Sequence, residues 1–340
     1  MSGLYQIMYF TLIDIKNTLL SPFFIIIFAI IYYQYYQSKT PRSTLLKTLN
    51  STFYGILGGF ITTIAFIYLE VVVIPKDFMY ILTMAIILSL IDTRFMCFAY
   101  GGSLVSLLSI IIGFPKVESK DIMLVVAVLH IVESVLVLIN GSKDRQPTFF
   151  SHEDETVGGF NMNRFWPIPF VIFIGDDLIK PITLMAILNY GDFTLSYPKR
   201  KSIFTGLLML LYSLVLLFIT RTIENNLIPP LFAILGHEFI IFINKLLEKN
   251  RVPIFSPPLK GVRVLDIVKR SIGKEIGLEI GDIIVSINGV IVYDDKDLQN
   301  IELLNNDIMK IVYFNKINGI TEKVYRGNKK TLGISVVPRA

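Results

Sequence analysis

Over the first 247 residues the apolar positions run in blocks, whereas over the last 80 they alternate with polar ones. A helix needs about 20 mostly apolar residues to cross a bilayer. Stretches approaching that length lie at 20–37, 53–74, 78–92, 95–113, 121–140, 203–220 and 227–246, which predicts about seven transmembrane helices. Residues 4–19 are apolar but carry Asp14, Lys16 and Asn17, and Pro22 follows at the entry to the next block. This pattern predicts an amphipathic helix lying in the interface beside the first span. The segment 165–190 is apolar at both ends, but Asp176, Asp177 and Lys180 sit at its centre and Pro167, Pro169 and Pro181 interrupt it. A charge at mid-bilayer depth costs at least ~2.5 kcal/mol, and interior prolines break a helix. The segment therefore reads as a re-entrant or interfacial hairpin.

From residue 261 the period changes to that of strands and turns. GVRVLDIV (261–268) is the first strand, and a short helix within 271–282 ends at Gly277, a residue suited to a left-handed cap. IIVSI (283–287) and VIV (290–292) flank Asn288–Gly289, a strong two-residue hairpin signal. Asp294 or Asp295 caps a helix through about Asn305, with Leu298, Ile301 and Leu304 along one face. Further strands are expected near 309–315, 321–325 and 332–337.

Charge follows the same division. Only 17% of the chain is charged and its mean hydropathy is +0.61. Charges number 33 among the first 247 residues and 26 among the last 93, and the second density is that of a soluble domain. The fold class that follows is a multi-span α-helical membrane domain (1–247) and a small α+β module (248–340). The net charge of +5 is spread over both parts and gives no nucleic-acid signal. Cys97 is the single cysteine, so no internal disulfide exists, and no cleavable signal peptide is apparent. Basic residues cluster in 38–52 (Lys39, Arg42, Lys47), 141–165 (Lys143, Arg145, Arg164) and 191–202 (Lys199, Arg200, Lys201). The positive-inside rule places these segments, and the C-terminal module, on the cytoplasmic side of the cell membrane. Gly58–Gly59 and Gly101–Gly102 permit close helix approach, and Trp166 with Tyr32, Tyr33, Tyr35 and Tyr36 suits an interfacial belt.

The run from Gly277 to Gly289, GLEIGDIIVSING, resembles the GLxxGDxIxxINGxxV signature of bacterial PDZ domains, and the match continues through Val292. PDZ domains are small β-barrels that add an extended peptide to a sheet edge, with a backbone nest for a C-terminal carboxylate. The resemblance implies a carboxylate loop at Leu259-Lys260-Gly261-Val262. It implies a groove between 262–266, including Arg263 and Val264, and the helix bearing Leu298 and Ile301. The family has a hydrophobic residue where Lys260 stands, which leaves internal peptide segments open as ligands.

Two polar pairs interrupt the apolar blocks: His130 with Glu133, and His237 with Glu238. Intramembrane ionisable groups face the bundle interior and pair there, so the four are read as an interhelical lock, alone or with Arg94 and Asp92, rather than a metal site. His237–Glu238 begins like HExxH, but Ile241 occupies the second ligand position. This leaves a degenerate intramembrane metalloprotease, or a protease accessory that presents substrates, as the alternative from the enzyme class. The overall layout, with a VGGFNMNRFWPIP loop at 157–169 and one terminal module, resembles the MinJ-like polytopic PDZ proteins of Gram-positive division sites. That likeness implies a non-enzymatic scaffold without cofactor, embedded in the lipid bilayer and bridging protein partners.

Overall fold

The computed structural model describes residues 2–38, 43–71, 74–174, 180–302, 308–329 and 331–339. It divides into two compact units. The first comprises Met1–Asp144, Asn163–Gly191 and Lys199–Lys245; the second comprises Arg145–Met162, Asp192–Pro198 and Leu246–Ala340. The chain therefore changes unit near residue 246, where the composition shifts, and two further stretches join the second unit.

The first unit contains α1 (Ser2–Leu19), α2 (Pro22–Gln37), α3 (Thr44–Tyr68), α4 (Pro75–Ser89), α5 (Phe98–Ile112), α6 (Ser119–Asn140), α7 (Pro198–Thr222) and most of α8 (Ile228–Lys249). Ser21 caps α2 by accepting the Phe24 N–H at 3.2 Å, with Pro22 in the first turn, and the chain bends by 66° between α1 and α2. Helices α3, α6, α7 and α8 are long and apolar enough to cross a membrane, and the bent α1–α2 pair makes a fifth candidate. Among the described residues this gives four or five candidate spans, and the expected count of seven is not confirmed. Helices α4 and α5 have 15 residues each, about 22 Å at 1.5 Å per residue against roughly 30 Å of hydrocarbon. Large apolar side chains such as Leu211, Phe218, Leu235 and Phe239 are exposed on α7 and α8, a surface suited to lipid.

The segment expected as a loop at 157–169 is strand. β1 (Gln146–His152), β2 (Glu155–Ile174) and β3 (Lys180–Thr194) form a three-stranded sheet in that order. β1 pairs β2 only from Gln146↔Asn161 to His152↔Glu155. Beyond Asn161, among the described residues, one edge of β2 has no strand neighbour and meets the helices of the first unit. Alternate residues of a strand direct their backbone groups to the same edge. On this edge the Phe165 N–H donates to the Tyr35 hydroxyl at 3.0 Å and the Val171 N–H to Thr63 Oγ1 at 2.9 Å. The two positions between them are Pro167 and Pro169, which have no N–H to satisfy. Their carbonyls meet the glycines of α3. A Cβ on Gly55 would lie 2.1 Å from the Pro167 oxygen, and one on Gly59 1.9 Å from the Pro169 oxygen. Gly59 thus admits a strand; Gly101 admits a helix, with Ile81 O and Ala85 of α4 against it.

Trp166, expected at an interface, is fully buried. Its Nε1 donates to Asn140 Oδ1 at 3.2 Å. Arg164 donates to the same oxygen, to Asn50 Oδ1 at 2.8 Å and to Asp144 at 2.9 Å. Lys47 is buried over the Tyr35 ring, and buried Lys201 donates to Asn244 Oδ1 at 2.9 Å. Three of the cations counted toward membrane orientation are therefore interior partners. Lys39 and Arg42 lie outside the described residues, as do Asp176 and Asp177.

In the second unit, β4 (Val262–Ile267), α9 (Ile272–Glu275), β5 (Ile283–Ile287), β6 (Val290–Ile291), α10 (Asp295–Glu302), β7 (Ile308–Asn315), β8 (Gly319–Arg326) and β9 (Ile334–Val336) follow in order. The sheet runs β8-β7-β5-β4-β9, with β6 on β5. Asn288 and Gly289 have φ of 52° and 81°, the paired positive values that a two-residue hairpin requires. Asp294 Oδ1 caps α10 by accepting the Asp297 N–H at 2.8 Å. One core gathers Val262, Val264, Ile284, Ile287, Leu298, Ile311 and Val336. A smaller cluster on the other face joins Leu265 and Val337 to Phe160 and Phe255. The buried Glu248 carboxylate accepts from Thr194 Oγ1 at 3.1 Å and Leu195 N at 3.0 Å.

Thr63→Val keeps the side-chain shape but strands the Val171 N–H. Stability of the detergent-solubilised protein should fall by about 1–3 kcal/mol, read as a lower thermal midpoint, with a larger fall for Gly59→Val.

Candidate functional site

Strand addition needs a sheet edge with unpaired backbone groups. β4 does not offer one. On one side it pairs with β5 through Val262↔Ile284 and Arg263↔Ile283, and Val264 N donates to Asp282 O at 2.8 Å. On the other it pairs with β9 through Val264↔Val336, Asp266↔Ser335 and Ile267↔Ile334, with a bulge between Val264 and Asp266. The strand expected to line the groove is thus an interior strand, because the end of the chain returns to cover it.

The residues expected around that groove are placed accordingly. Leu259 and Lys260 are exposed. Gly261 is a tight turn with φ of +83°, and a Cβ there would lie 2.3 Å from the Ile284 oxygen. Val262, Val264 and Leu298 are core residues. Arg263 donates through Nε to Ser256 O at 2.8 Å and through Nη1 to Gly281 O at 3.3 Å. The Ile301 side chain lies outside the described residues.

Among the described residues the sheet ends at β9 on this side. Gly333 O accepts from Val268 N at 2.8 Å, and Val337 N donates to Arg263 O at 3.0 Å. Residues 333 and 337 therefore direct their backbone groups to β4, and by alternation Ile334 and Val336 direct theirs to the open edge. Leu298 of α10 shares the core with Leu332 and Val336, so helix and edge strand pack on one apolar floor. Gly333 has φ of +60° at the entry to the strand. The triplet Leu332-Gly333-Ile334, apolar residues around a turn glycine before a strand, was the sequence signal for this edge.

The signature aspartate acts beneath. Asp282 Oδ2 accepts the Glu279 N–H at 2.9 Å and Oδ1 accepts from Asn315 Nδ2 at 2.8 Å, tying the turn before β5 to β7. Burial raises its carboxyl above the usual value despite these bonds, and burial likewise raises Asp266.

Residues 263–303 match the family model for the PDZ domain. The second unit carries a PDZ domain. No curated protein matches the chain. The matched span holds β4, α9, β5, β6 and α10 of the PDZ domain, while β9, its open edge, lies beyond it.

In the first unit, the polar residues gather around Cys97 and around Tyr100, whose hydroxyl lies 3.1 Å from His237 Nδ1. His130 and His237 come together at Cys97, a residue the sequence distinguished only as unable to form a disulfide. Cys97 Sγ lies 3.2 Å from His130 Nε2 and 3.6 Å from His237 Nε2. Glu238 accepts from the Tyr100 hydroxyl at 2.8 Å and pairs with Arg94 at 3.6 Å, and Arg94 also meets Asp92 at 3.3 Å. Glu133 is buried and lines a cleft with Cys97 and His130.

Asp282→Ala should destabilise the PDZ domain by about 1–3 kcal/mol. Because the folded carboxyl is raised, its ionised form opposes folding, and stability falls as pH rises through the folded-state value. Denaturant melts across acidic pH should show this slope in the native chain and a flatter one in Asp282→Asn.

Proposed function

We propose that this protein is a non-enzymatic, multi-pass scaffold of the cell membrane whose PDZ domain captures an extended segment of a partner protein. The observation that carries this reading is the β9 edge, outermost among the described strands, in a PDZ domain whose core joins Val336 of β9 to Leu298 of α10. Backbone pairing to Ile334 and Val336 supplies affinity, and pockets for alternate side chains supply selectivity. Anchoring confines the domain to a surface and raises its effective concentration toward other membrane-bound proteins.

The basic segments around Lys143, Arg145, Lys199 and Arg200 support a cytoplasmic position for the domain. The resemblance in layout to MinJ-like proteins supports division-site placement as the setting. The absence of a second histidine after His237-Glu238 at position 241 weighs against the protease alternative.

Proline at Ile334 removes one outward N–H while leaving the bonds of Gly333 and Val337 to β4 in place. Partner recovery in cross-linked pull-downs from native membranes should drop about tenfold or more (about 1.4 kcal/mol) with Ile334→Pro. Undiminished recovery by a variant with an unchanged circular dichroism spectrum would overturn the groove assignment.

A further inference from the structure

The cluster of Cys97, His130 and His237 is set up for a ligand that none of its own members can supply. Cys97 caps the start of α5, His130 lies on α6 and His237 on α8, so three separate elements converge on one point. Their ligand atoms, Sγ and two Nε2, all lie within 4.8 Å of one another. In a tetrahedral zinc site with metal–sulfur and metal–nitrogen bonds of about 2.3 and 2.05 Å, the sulfur–nitrogen edge is about 3.6 Å. The two edges here are 3.2 and 3.6 Å.

The hydrogen bonds behind the rings fix which nitrogens face the sulfur as lone pairs. His130 Nδ1 lies 2.8 Å from the Val126 carbonyl, an acceptor only, so Nδ1 carries the proton and Nε2 does not. His237 Nδ1 lies 3.1 Å from the Tyr100 oxygen. The Tyr100 proton is committed to Glu238, so this oxygen accepts from Nδ1–H and His237 Nε2 is also a bare lone pair. A thiol has one proton and can serve one of these two nitrogens. A cation serves both, together with the thiolate. Bonds of this kind behind the ring, His to carbonyl and His to a carboxylate-anchored hydroxyl, orient metal-binding imidazoles.

We propose that Cys97, His130 and His237 bind a single divalent transition-metal ion of borderline softness, Zn2+ first among them. Mixed thiolate and imidazole donors select this class over Mg2+ or Ca2+. Glu133, one turn beyond His130, lines the same cleft outside the three-ligand group, so its carboxylate acts as a nearby counter-charge rather than a donor. The thiolate and the Glu133 carboxylate together neutralise the 2+ charge, which keeps the buried site neutral. Binding expels the thiol proton to solvent and changes no oxidation state. Glu238 stays outside the coordination sphere, held by Tyr100 and Arg94. The ion would join α6, α8 and the start of α5, and this assignment is independent of the PDZ domain's peptide groove.

The test uses the full-length chain in detergent, purified without a histidine tag. Because Cys97 is the sole cysteine, a thiolate-to-cobalt charge-transfer band on Co2+ titration has one origin. The expected result is saturation of that band at one equivalent, its displacement by Zn2+, and one zinc per chain by elemental analysis after Zn2+ loading. Cys97→Ser should abolish the band, and Tyr100→Phe should weaken Co2+ affinity about 10–100-fold. His152→Ala, outside the cluster, should leave the titration unchanged. Absence of the band in the native chain overturns the proposal outright, whether or not the variants fold. A band that persists in monodisperse His130→Ala and His237→Ala with unchanged affinity overturns it equally.

Discussion

An unpaired strand edge among apolar helices is the constraint on which the first unit depends. Backbone N–H groups left unmatched in an apolar medium each cost several kcal/mol, and a sheet edge normally presents them in a row. Here the row is dismantled one position at a time. Tyr35 and Thr63 take the N–H groups of Phe165 and Val171, and proline removes the two between. The carbonyls of those two prolines remain, and Gly55 and Gly59 let α3 close over them. The small-xxx-small spacing that usually brings two helices together serves here to seat a helix on a strand.

The same strand organises the buried charge. Arg164 and Trp166 lie on one face of β2 and converge on Asn140, and Asn50 and Asp144 take the other bonds of the Arg164 terminal nitrogens. A buried guanidinium needs such partners, since each unmatched donor is costly. Lys47 and Lys201 are absorbed by comparable local partners. Positive charge near a membrane segment is therefore not always a topology signal; part of it here is internal architecture.

The PDZ domain was legible from local chemistry because its information is local. Strand alternation, Asn288–Gly289, the Asp294 cap and the glycines with positive φ each act within a few residues. The open edge was not, since β4 looks like an edge until β9 returns from the far end of the chain. Apolar blocks located the helices well, but length separates the apolar α5 from the spanning set, and α4 is as short and carries Lys76 and Asp77 in its first turn. β2 and β3 were visible only as a re-entrant or interfacial hairpin at 165–190, because their prolines and charges say what the segment cannot be. The polar cluster was half visible. His130 and His237 stood out as intruders in lipid-like sequence, whereas Cys97 is ordinary in an apolar block and acquires meaning only from its neighbours in space.

The sealing of β2 also has a direction in time. Every group that receives the strand, from Tyr35 and Asn50 through Gly55, Gly59 and Thr63 to Asn140, precedes residue 163 in the chain. Synthesis runs from the N-terminus, and earlier segments fold first. The acceptors and the glycine seat are thus in existence before the ribosome has made the first donor that needs them. The order of synthesis thus puts the groups that cover the edge ahead of the edge itself.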